Sequence, residues 1–361
     1  MKLSSLLIAA VAICSACCPK CEKKHSDEAS KLLSQLQSNV NSGIIMYGHQ
    51  DDLMYGHSWR IDSTDNEYFN SDVKSVTGSY PAVLGMDLGG LELGWSRNLD
   101  KNSFAQMREA ALKHYERGGV VTFSWHAYNP LTGGDSWDVS SNEVVASILD
   151  GGAKHELFMS WLERVANYLS EFKNAEGELI PLIFRPWHEH TGSWFWWGQK
   201  LCSKEQYQQL WRLTYDYLVK TRGLNNLIWA YSPSSTGLSD GLYLERWPGD
   251  DIVDMVGIDL YQYSTAEAYI SSTQAALDTV SRVAIEHGKI AAYTETGYES
   301  IPAENWWTDV LYNTIKDYPI AYVLTWRNAW DMPQHFYAPW PGQASEDNFK
   351  EFTEKENIKV L

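Results

Sequence analysis

Glu189 and Glu295 are the residues whose setting most invites a chemical reading. Each ends an apolar, strand-like run: Leu182-Ile183-Phe184-Arg185-Pro186-Trp187-His188-Glu189-His190 and Ile290-Ala291-Ala292-Tyr293-Thr294-Glu295-Thr296-Gly297. Aromatic residues crowd them, above all in Gly192-Ser193-Trp194-Phe195-Trp196-Trp197-Gly198. Two carboxyl groups in an aromatic groove suit acid-assisted cleavage of a bond between sugars. One protonates the departing oxygen, the other attacks or stabilises the cationic anomeric carbon, and flat rings carry the sugar faces. A solvated carboxylate, or for Glu189 an ion pair with Arg185, is the plainer alternative for either residue alone. Their shared placement at strand ends beside aromatics favours the chemical reading.

Such a pair needs a scaffold that brings distant strand ends together. Eight short apolar runs can be marked: Gly43–Gln50, Ala82–Gly89, Gly119–His126, Ile180–His188, Asn226–Ser232, Ile252–Tyr261, Lys289–Glu295 and Ala321–Arg327. Near-continuous apolar character over so few residues is how a strand buried on both faces reads. Helical patterns lie between them, at Asn102–Gly118, Leu157–Phe172, Lys204–Lys220 and Glu267–His287, the last closed by Gly288. The alternation predicts an α/β fold, a single (β/α)8 TIM barrel. A doubly wound open sheet is the second choice, but it would carry a glycine-rich phosphate turn after an early strand, and none is present. The extra length falls in loops after strand-like runs, at Asp51–Asn70, Leu131–Gly152, Thr191–Ser203 and Asn328–Gln343, where a barrel builds its catalytic face.

Polar residues gather at the same ends. Run three closes on Trp125-His126, run four on His188-Glu189-His190, run six on Asp259-Leu260-Tyr261 and run eight on Trp326-Arg327-Asn328. Barrel topology would converge His126, His188, Asp259, Tyr261, Trp326 and Arg327 on the cavity holding the two glutamates. The competing chemistries fit less well. His188-Glu189-His190 spaces two imidazoles like metal ligands, but the helical His-Glu-x-x-His pattern is absent, and barrels that use a His-x-His pair place it on the first strand, where Gly48-His49-Gln50 stands. No Gly-x-Ser-x-Gly turn supplies a serine nucleophile, and no fingerprint supplies a flavin or nicotinamide site. The expectation is no metal and no cofactor.

Arg185-Pro186-Trp187-His188-Glu189 with Gly192–Gly198 closely resembles glycoside hydrolase family 26, the β-mannanases. Trp125-His126-Ala127-Tyr128-Asn129-Pro130 with Thr132-Gly133-Gly134, Gly257-Ile258-Asp259-Leu260-Tyr261 and Thr294-Glu295-Thr296-Gly297 resemble further motifs of that family, in order, across roughly residues 35–355. The resemblance implies a (β/α)8 barrel and a retaining mechanism, with Glu189 as acid/base and Glu295 as nucleophile. It implies substrate contacts from His126, His188, Tyr261, and the aromatic platforms Trp194 and Trp326. His190 departs from the pattern, many relatives having Met or another apolar residue there, which suggests an effect on the leaving-group side. The implied substrate is mannan or manno-oligosaccharides. A β-glucanase or xylanase on the same scaffold, or a glycan-binding lipoprotein without catalysis, are the alternatives.

Composition agrees. The 361 residues carry 17 Trp and 21 Tyr, a surplus that reads as flat ligand surfaces, with a Trp-rich core as the other explanation. A formal net charge of −17 excludes a phosphate backbone as partner and suits a neutral glycan. At the N-terminus, Lys2 precedes the short apolar stretch Leu6–Ala12 and then Cys14-Ser15-Ala16-Cys17-Cys18. Small residues before a cysteine resemble a bacterial lipoprotein cleavage site, with Cys17 lipidated, although Cys14 stands where Leu is usual. Cys18 is a second candidate, and a plain secretory signal is the alternative. The expected organisation is a signal peptide over 1–16, a tether over 17–34 and a catalytic domain over 35–361. The chain would be an exported, lipid-anchored monomer at the outer membrane, in the periplasm or on the cell surface. Cys202 alone lies in the body of the chain, so no disulfide framework exists there.

Overall fold

Strands covered on both faces require a sheet that is closed or layered, and every one of the eight apolar runs supplies one. The computed structural model describes residues 24–62, 64–235 and 240–361. The runs form β1 (Ile45–Gln50), β2 (Val83–Asp87), β3 (Val120–Ser124), β4 (Leu182–Arg185), β5 (Leu227–Tyr231), β6 (Met255–Asp259), β7 (Ile290–Thr296) and β8 (Ile320–Thr325), all buried throughout. Neighbours pair in parallel in chain order, and β8 returns to β1 through the register Met46–Tyr322 to His49–Thr325. Closure leaves no open edge and makes the (β/α)8 barrel. The long helices follow the sequence pattern: Phe104–Glu116, His155–Leu169, Lys204–Tyr215 and Ala266–His287. Ser203 and Gln206 form a reciprocal capping box at the start of the third. Gly288, at φ 62°, ends the fourth in the left-handed conformation that glycine adopts without penalty.

A helix over Asp27–Asn41, α1, closes the N-terminal mouth of the barrel. Its Ala29, Leu32 and Leu36 pack with strand-start residues such as Met46, Val83, Val120, Met255 and Ile290. Ahead of it, Lys24 and His25 both reach Asp254 Oδ1, at 2.6 and 2.9 Å, and Ser26 N donates to Asn225 O at 2.9 Å. The folded unit therefore includes residues from Lys24, and the segment expected to be tether up to residue 34 is helical and packed over its last eight positions. Cys14, Cys17, Cys18 and Cys21, and with them the expected cleavage and lipidation site, lie outside the described residues. Among the described residues no helix is long and apolar enough to cross a membrane.

Alternation along the strands decides what the barrel presents inside. In β4, Ile183 belongs to the inner cluster, whereas Leu182 and Phe184 pack against the helices, so Arg185 faces inward. In β2 and β3 the same parity turns Asp87 and Ser124 inward, where Ser124 Oγ donates to Asp87 Oδ2 at 2.6 Å. β7 breaks the rule. Ala292 faces inward and Tyr293 outward, so Thr294 continues inward and Glu295 would point at the helix layer. The β6–β7 register shifts between Ile258–Tyr293 and Asp259–Glu295, leaving Thr294 as an extra residue. That bulge turns Glu295 into the barrel mouth. Gly257 makes room for it: a Cβ there would lie 2.5 Å from Thr294 Cγ2 and 2.6 Å from its hydroxyl.

Candidate active site

Glu189 leaves β4 on a tight turn in which Trp187 and Glu189 both have φ of 54°. Left-handed conformations cost non-glycine residues about 1–3 kcal/mol each and persist only where surroundings impose them. The surroundings here are the tryptophans and tyrosines of the following loop and helix. Trp197 Nε1 donates to His188 O at 2.8 Å, and Tyr207 OH donates to Trp187 O at 2.7 Å. Glu189 N donates to Ser232 O at 2.8 Å. Trp196 Nε1 reaches across to Ala127 O at 2.8 Å, tying the loop to the end of β3. More than half of the 17 tryptophans are buried, including Trp187, Trp196 and Trp197. The Trp surplus thus goes mainly to the core and to holding this turn, correcting the expectation of flat ligand surfaces. Trp194 is the member of the motif that stays partly exposed, and its Nε1 donates to Glu189 Oε2 at 2.8 Å.

Opposite stands Glu295, 4% exposed. Tyr261 OH donates to its Oε2 at 2.7 Å, and Arg185 Nη2 donates to its Oε1. Arg185 also donates from Nη1 to Asp259 Oδ2 at 2.8 Å and to Ser232 Oγ at 3.0 Å. Thr294, the bulged residue, donates to Asp259 Oδ1 at 2.6 Å. One carboxylate oxygen from each of Glu189, Asp259 and Glu295 lies within 4.8 Å of the other two. Arg185 is therefore the counter-ion of Glu295 and Asp259 rather than of Glu189.

Three carboxyl groups around one guanidinium, Asp259 and Glu295 buried and Glu189 half-buried, cannot all ionise cheaply. Glu189 takes the consequence. Burial pushes its pKa well above the usual carboxylate range, the charges of Glu295 and Asp259 push it further, and the Trp194 hydrogen bond and Arg185 oppose without reversing it. A protonated Glu189 that accepts from Trp194 at Oε2 carries its proton on Oε1. Burial also raises Asp259, to about 7, with Arg185 opposing and Glu295 adding to the rise.

The other expected site residues fall into two groups. His126, His188, Tyr261 and Trp326 come to the mouth with the glutamates. His126 Nδ1 bonds Asp87 Oδ2 at 2.7 Å, and its Nε2 lies 3.3 Å from His188 Nε2. Burial disfavours the His126 cation, but the charge and hydrogen bond of Asp87 outweigh it and raise the pKa. Burial, with the nearby charges of Arg185 and His126, holds His188 neutral. His126 then donates to His188, whose proton sits on the buried Nδ1, a donor without a protein partner. His188 meets His126 rather than Glu295. Trp326 lies 6.3 Å from the His126 ring, edge to face. Arg327 is turned away, to Asp100 at 3.3 Å and Tyr55 OH at 3.5 Å. His190 is not at the cavity edge either. It is 1% exposed, between Tyr207 OH at 3.0 Å and Tyr231 OH at 3.2 Å, and burial lowers its pKa to about 3. It is a core residue behind the turn.

Several site residues were passed over in the sequence. Trp137, about half exposed, stacks on His126 at 5.2 Å and 20°. Tyr263, largely exposed, sits 6.1 Å from Tyr261. Both lie in loops that follow strands, where a lone aromatic is a usable signal. Arg185 carried a stronger one: a cation inside an apolar strand demands buried counter-charges. As to a cation, the trio of Glu189, Asp259 and Glu295 has ligand spacing, but Arg185 already supplies positive charge to two of its members.

The family model for glycosyl hydrolase family 26 matches residues 21–332. The chain is 34% identical over 327 residues to a mannan endo-1,4-beta-mannosidase of Bifidobacterium adolescentis, covering 84% of this chain and 32% of that protein. It is 29% identical over 270 residues to a mannan endo-1,4-beta-mannosidase of Bacillus subtilis, covering 72% and 69%. The solved structure of a GH26 beta-mannanase from Bacteroides ovatus superposes with a TM-score of 0.89 at 48% identity, covering 93% of this chain and 95% of that one. The chain thus spans about a third of the Bifidobacterium relative and nearly all of the Bacteroides structure.

Proposed function

The chain belongs to glycosyl hydrolase family 26, and on that premise we propose that it hydrolyses the β-1,4 bonds of mannan, glucomannan or galactomannan with retention of configuration. Glu189 delivers the proton on Oε1 to the glycosidic oxygen while a Glu295 oxygen bonds to the anomeric carbon and the leaving sugar departs. Glu189, now a carboxylate stabilised by Trp194, takes a proton from water, and that water releases the sugar from Glu295. The observation that carries this reading is the short spacing of the two glutamates, within 4.8 Å between one oxygen of each. A retaining pair stands about 5–5.5 Å apart, and an inverting pair about 6.5–9.5 Å. The two environments also differ as the roles require, Glu189 protonated and Glu295 held by Tyr261 and Arg185.

His126, His188, Trp194, Tyr261, Trp326 and Trp137 are the groups we assign to the sugar at the cleavage point. Presence of both glutamates argues against a purely glycan-binding protein. Hydrolysis of a panel of mannan, glucomannan, xylan and lichenan, with chromatography of early products, tests the substrate class; xylan or lichenan as the preferred polymer would refute it. The loop after β2 is tied to the loop after β8 by Arg327–Asp100 at 3.3 Å and Lys101–Asp331 at 2.9 Å.

We further propose an exported monomer anchored by lipid at Cys17. The apolar leader and the cysteine cluster support this, and firm attachment follows from the several acyl chains such proteins carry. With α1 on the barrel floor, the chain emerges on the side opposite the groove. Wild-type protein should partition into detergent, and Cys17→Ala should not; a processed, membrane-bound Cys17→Ala protein would move the anchor to Cys18 or end the lipoprotein reading.

A further inference from the structure

Outside the groove just described, the loop after β2 carries a second aromatic surface. Trp95 is 47% exposed, yet it is seated rather than loose. Its ring lies against Gly90, where a Cβ would come within 2.8 Å of Trp95 Cε3, and Tyr128 meets it edge-on at 5.0 Å. Beneath them is Glu92, fully buried. Its carboxylate accepts from Gly90 N at 3.0 Å, Trp125 Nε1 at 3.1 Å and Tyr128 N at 2.7 Å. Asn98 fixes the far side of the loop, donating to Asp87 O and accepting from Asp100 N and Asn102 N. Together Trp95, Arg97, Asn98, Lys101 and Tyr128 line a cavity of 400 Å³. That volume is within the range of small-ligand sites, about 300–1,000 Å³.

We propose that this cavity is a non-catalytic sugar-binding site that holds a neutral hexopyranose of the same polysaccharide chain that the groove cleaves. The site rests on the mannan reading for the identity of its ligand. A held, half-exposed indole beside a tyrosine offers the flat apolar face that the C–H side of a pyranose needs, and Arg97 and Lys101 border it with donors for hydroxyls. Both cations are already engaged, Lys101 with Asp331 at 2.9 Å and Arg97 with Lys101 O at 2.9 Å. They therefore do not mark an anion site, and the overall charge of −17 disfavours an anionic glycan. The position fits the same ligand. The cavity lies between the loops that follow β2 and β3, at the barrel end that holds the glutamates, and Lys101 in its lining pairs with Asp331 of the loop after β8. A polymer entering the groove would be gripped at a second point, which raises its effective concentration without adding a contact at the cleaved bond.

The test uses Trp95→Ala, with Trp95→Tyr as the variant that keeps a ring. Affinity electrophoresis through gels containing mannan, xylan or lichenan, in a Glu295→Ala background, measures polymer binding; kinetics on a short aryl manno-oligoside measures the groove alone. Loss of one stacked ring should weaken retention in mannan about five- to ten-fold, with kcat/KM on the short substrate unchanged, and Trp95→Tyr should recover most of the retention. Unchanged retention of Trp95→Ala overturns the site. So does a parallel fall in short-substrate kcat/KM, which would place Trp95 in the groove or in the integrity of the loop. Retention in xylan or lichenan instead of mannan, with the same dependence on Trp95, would leave the site standing and remove the mannan reading.

Discussion

Replacing Trp194 with Phe should move the alkaline limb of the pH profile upward, a direction opposite to that expected for simple damage to an acid catalyst. The indole N–H donates to Glu189 Oε2 at 2.8 Å, and a donor favours the carboxylate over the carboxyl, so its removal makes Glu189 hold its proton more tightly. The size follows from the difference between the two forms. A hydrogen bond to a charged acceptor contributes about 1.5–3 kcal/mol, and one to a neutral acceptor about 0.5–1.5 kcal/mol. The difference, a little over 1 kcal/mol, corresponds to about one pH unit. Phe keeps an apolar ring over the carboxyl, so the burial that does most to raise its pKa is retained. Activity requires protonated Glu189 and is lost as pH rises through its pKa, so the alkaline limb of kcat/KM on a manno-oligosaccharide should shift up by about one unit. KM should also rise, because we assign Trp194 to the sugar, but the position of the limb does not depend on that loss. A limb that stays in place, or moves down, refutes the claim that Trp194 acts on the anion of Glu189.

Three further outcomes follow from the same geometry. Glu189→Ala should lose hydrolysis of mannan far more than of aryl glycosides with good leaving groups, and azide should accelerate its turnover, since only the first step is relieved of its need for an acid; equal losses on both substrates would remove the acid/base assignment. Gly257→Ala places a methyl 2.5 Å from Thr294 Cγ2, and should lower stability by about 1–3 kcal/mol, as overpacking does, while cutting kcat by disturbing the bulge that aims Glu295; calorimetry and kinetics of the purified variant check both. His190→Met should leave product pattern and leaving-group preference unchanged, because the imidazole is enclosed by Tyr207 and Tyr231; an altered product ratio would bring His190 back to the substrate.

The barrel was legible because strands covered on both faces write themselves as short apolar runs; six of the eight contain their strand, and the other two miss it by one residue, at Thr296 and at Ile320. The polar residues that end those runs were legible for the same reason: an apolar strand that finishes in His126, Glu189 or Asp259 has reached the barrel mouth. What escaped is what depends on one residue of register. Strict alternation from Ala292 sends Glu295 outward, and only the bulge at Thr294 returns it to the mouth. Function was also assigned to aromatics too uniformly. Trp196 and Trp197 hold backbone carbonyls at the strained turn, whereas Trp194 alone in that motif meets a glutamate, and composition does not distinguish a buttress from a platform. His190 misled because an imidazole beside a catalytic residue in sequence points, at the next position of a tight turn, to the opposite side. The start of the folded unit was placed too late, since Lys24 and His25 are anchored by Asp254, some 230 positions downstream.

The central claim is that Glu295 bonds covalently to the sugar while Glu189 supplies the proton. A 2-fluoro-mannosyl donor with a good leaving group slows both steps but the second more, so an intermediate on a retaining enzyme accumulates. Digestion and mass spectrometry of the inactivated protein should find the fluoro-sugar on the peptide containing Glu295, and on no other. Label on Glu189 or Asp259, or no label together with a first-formed product of inverted anomeric configuration, would contradict the account.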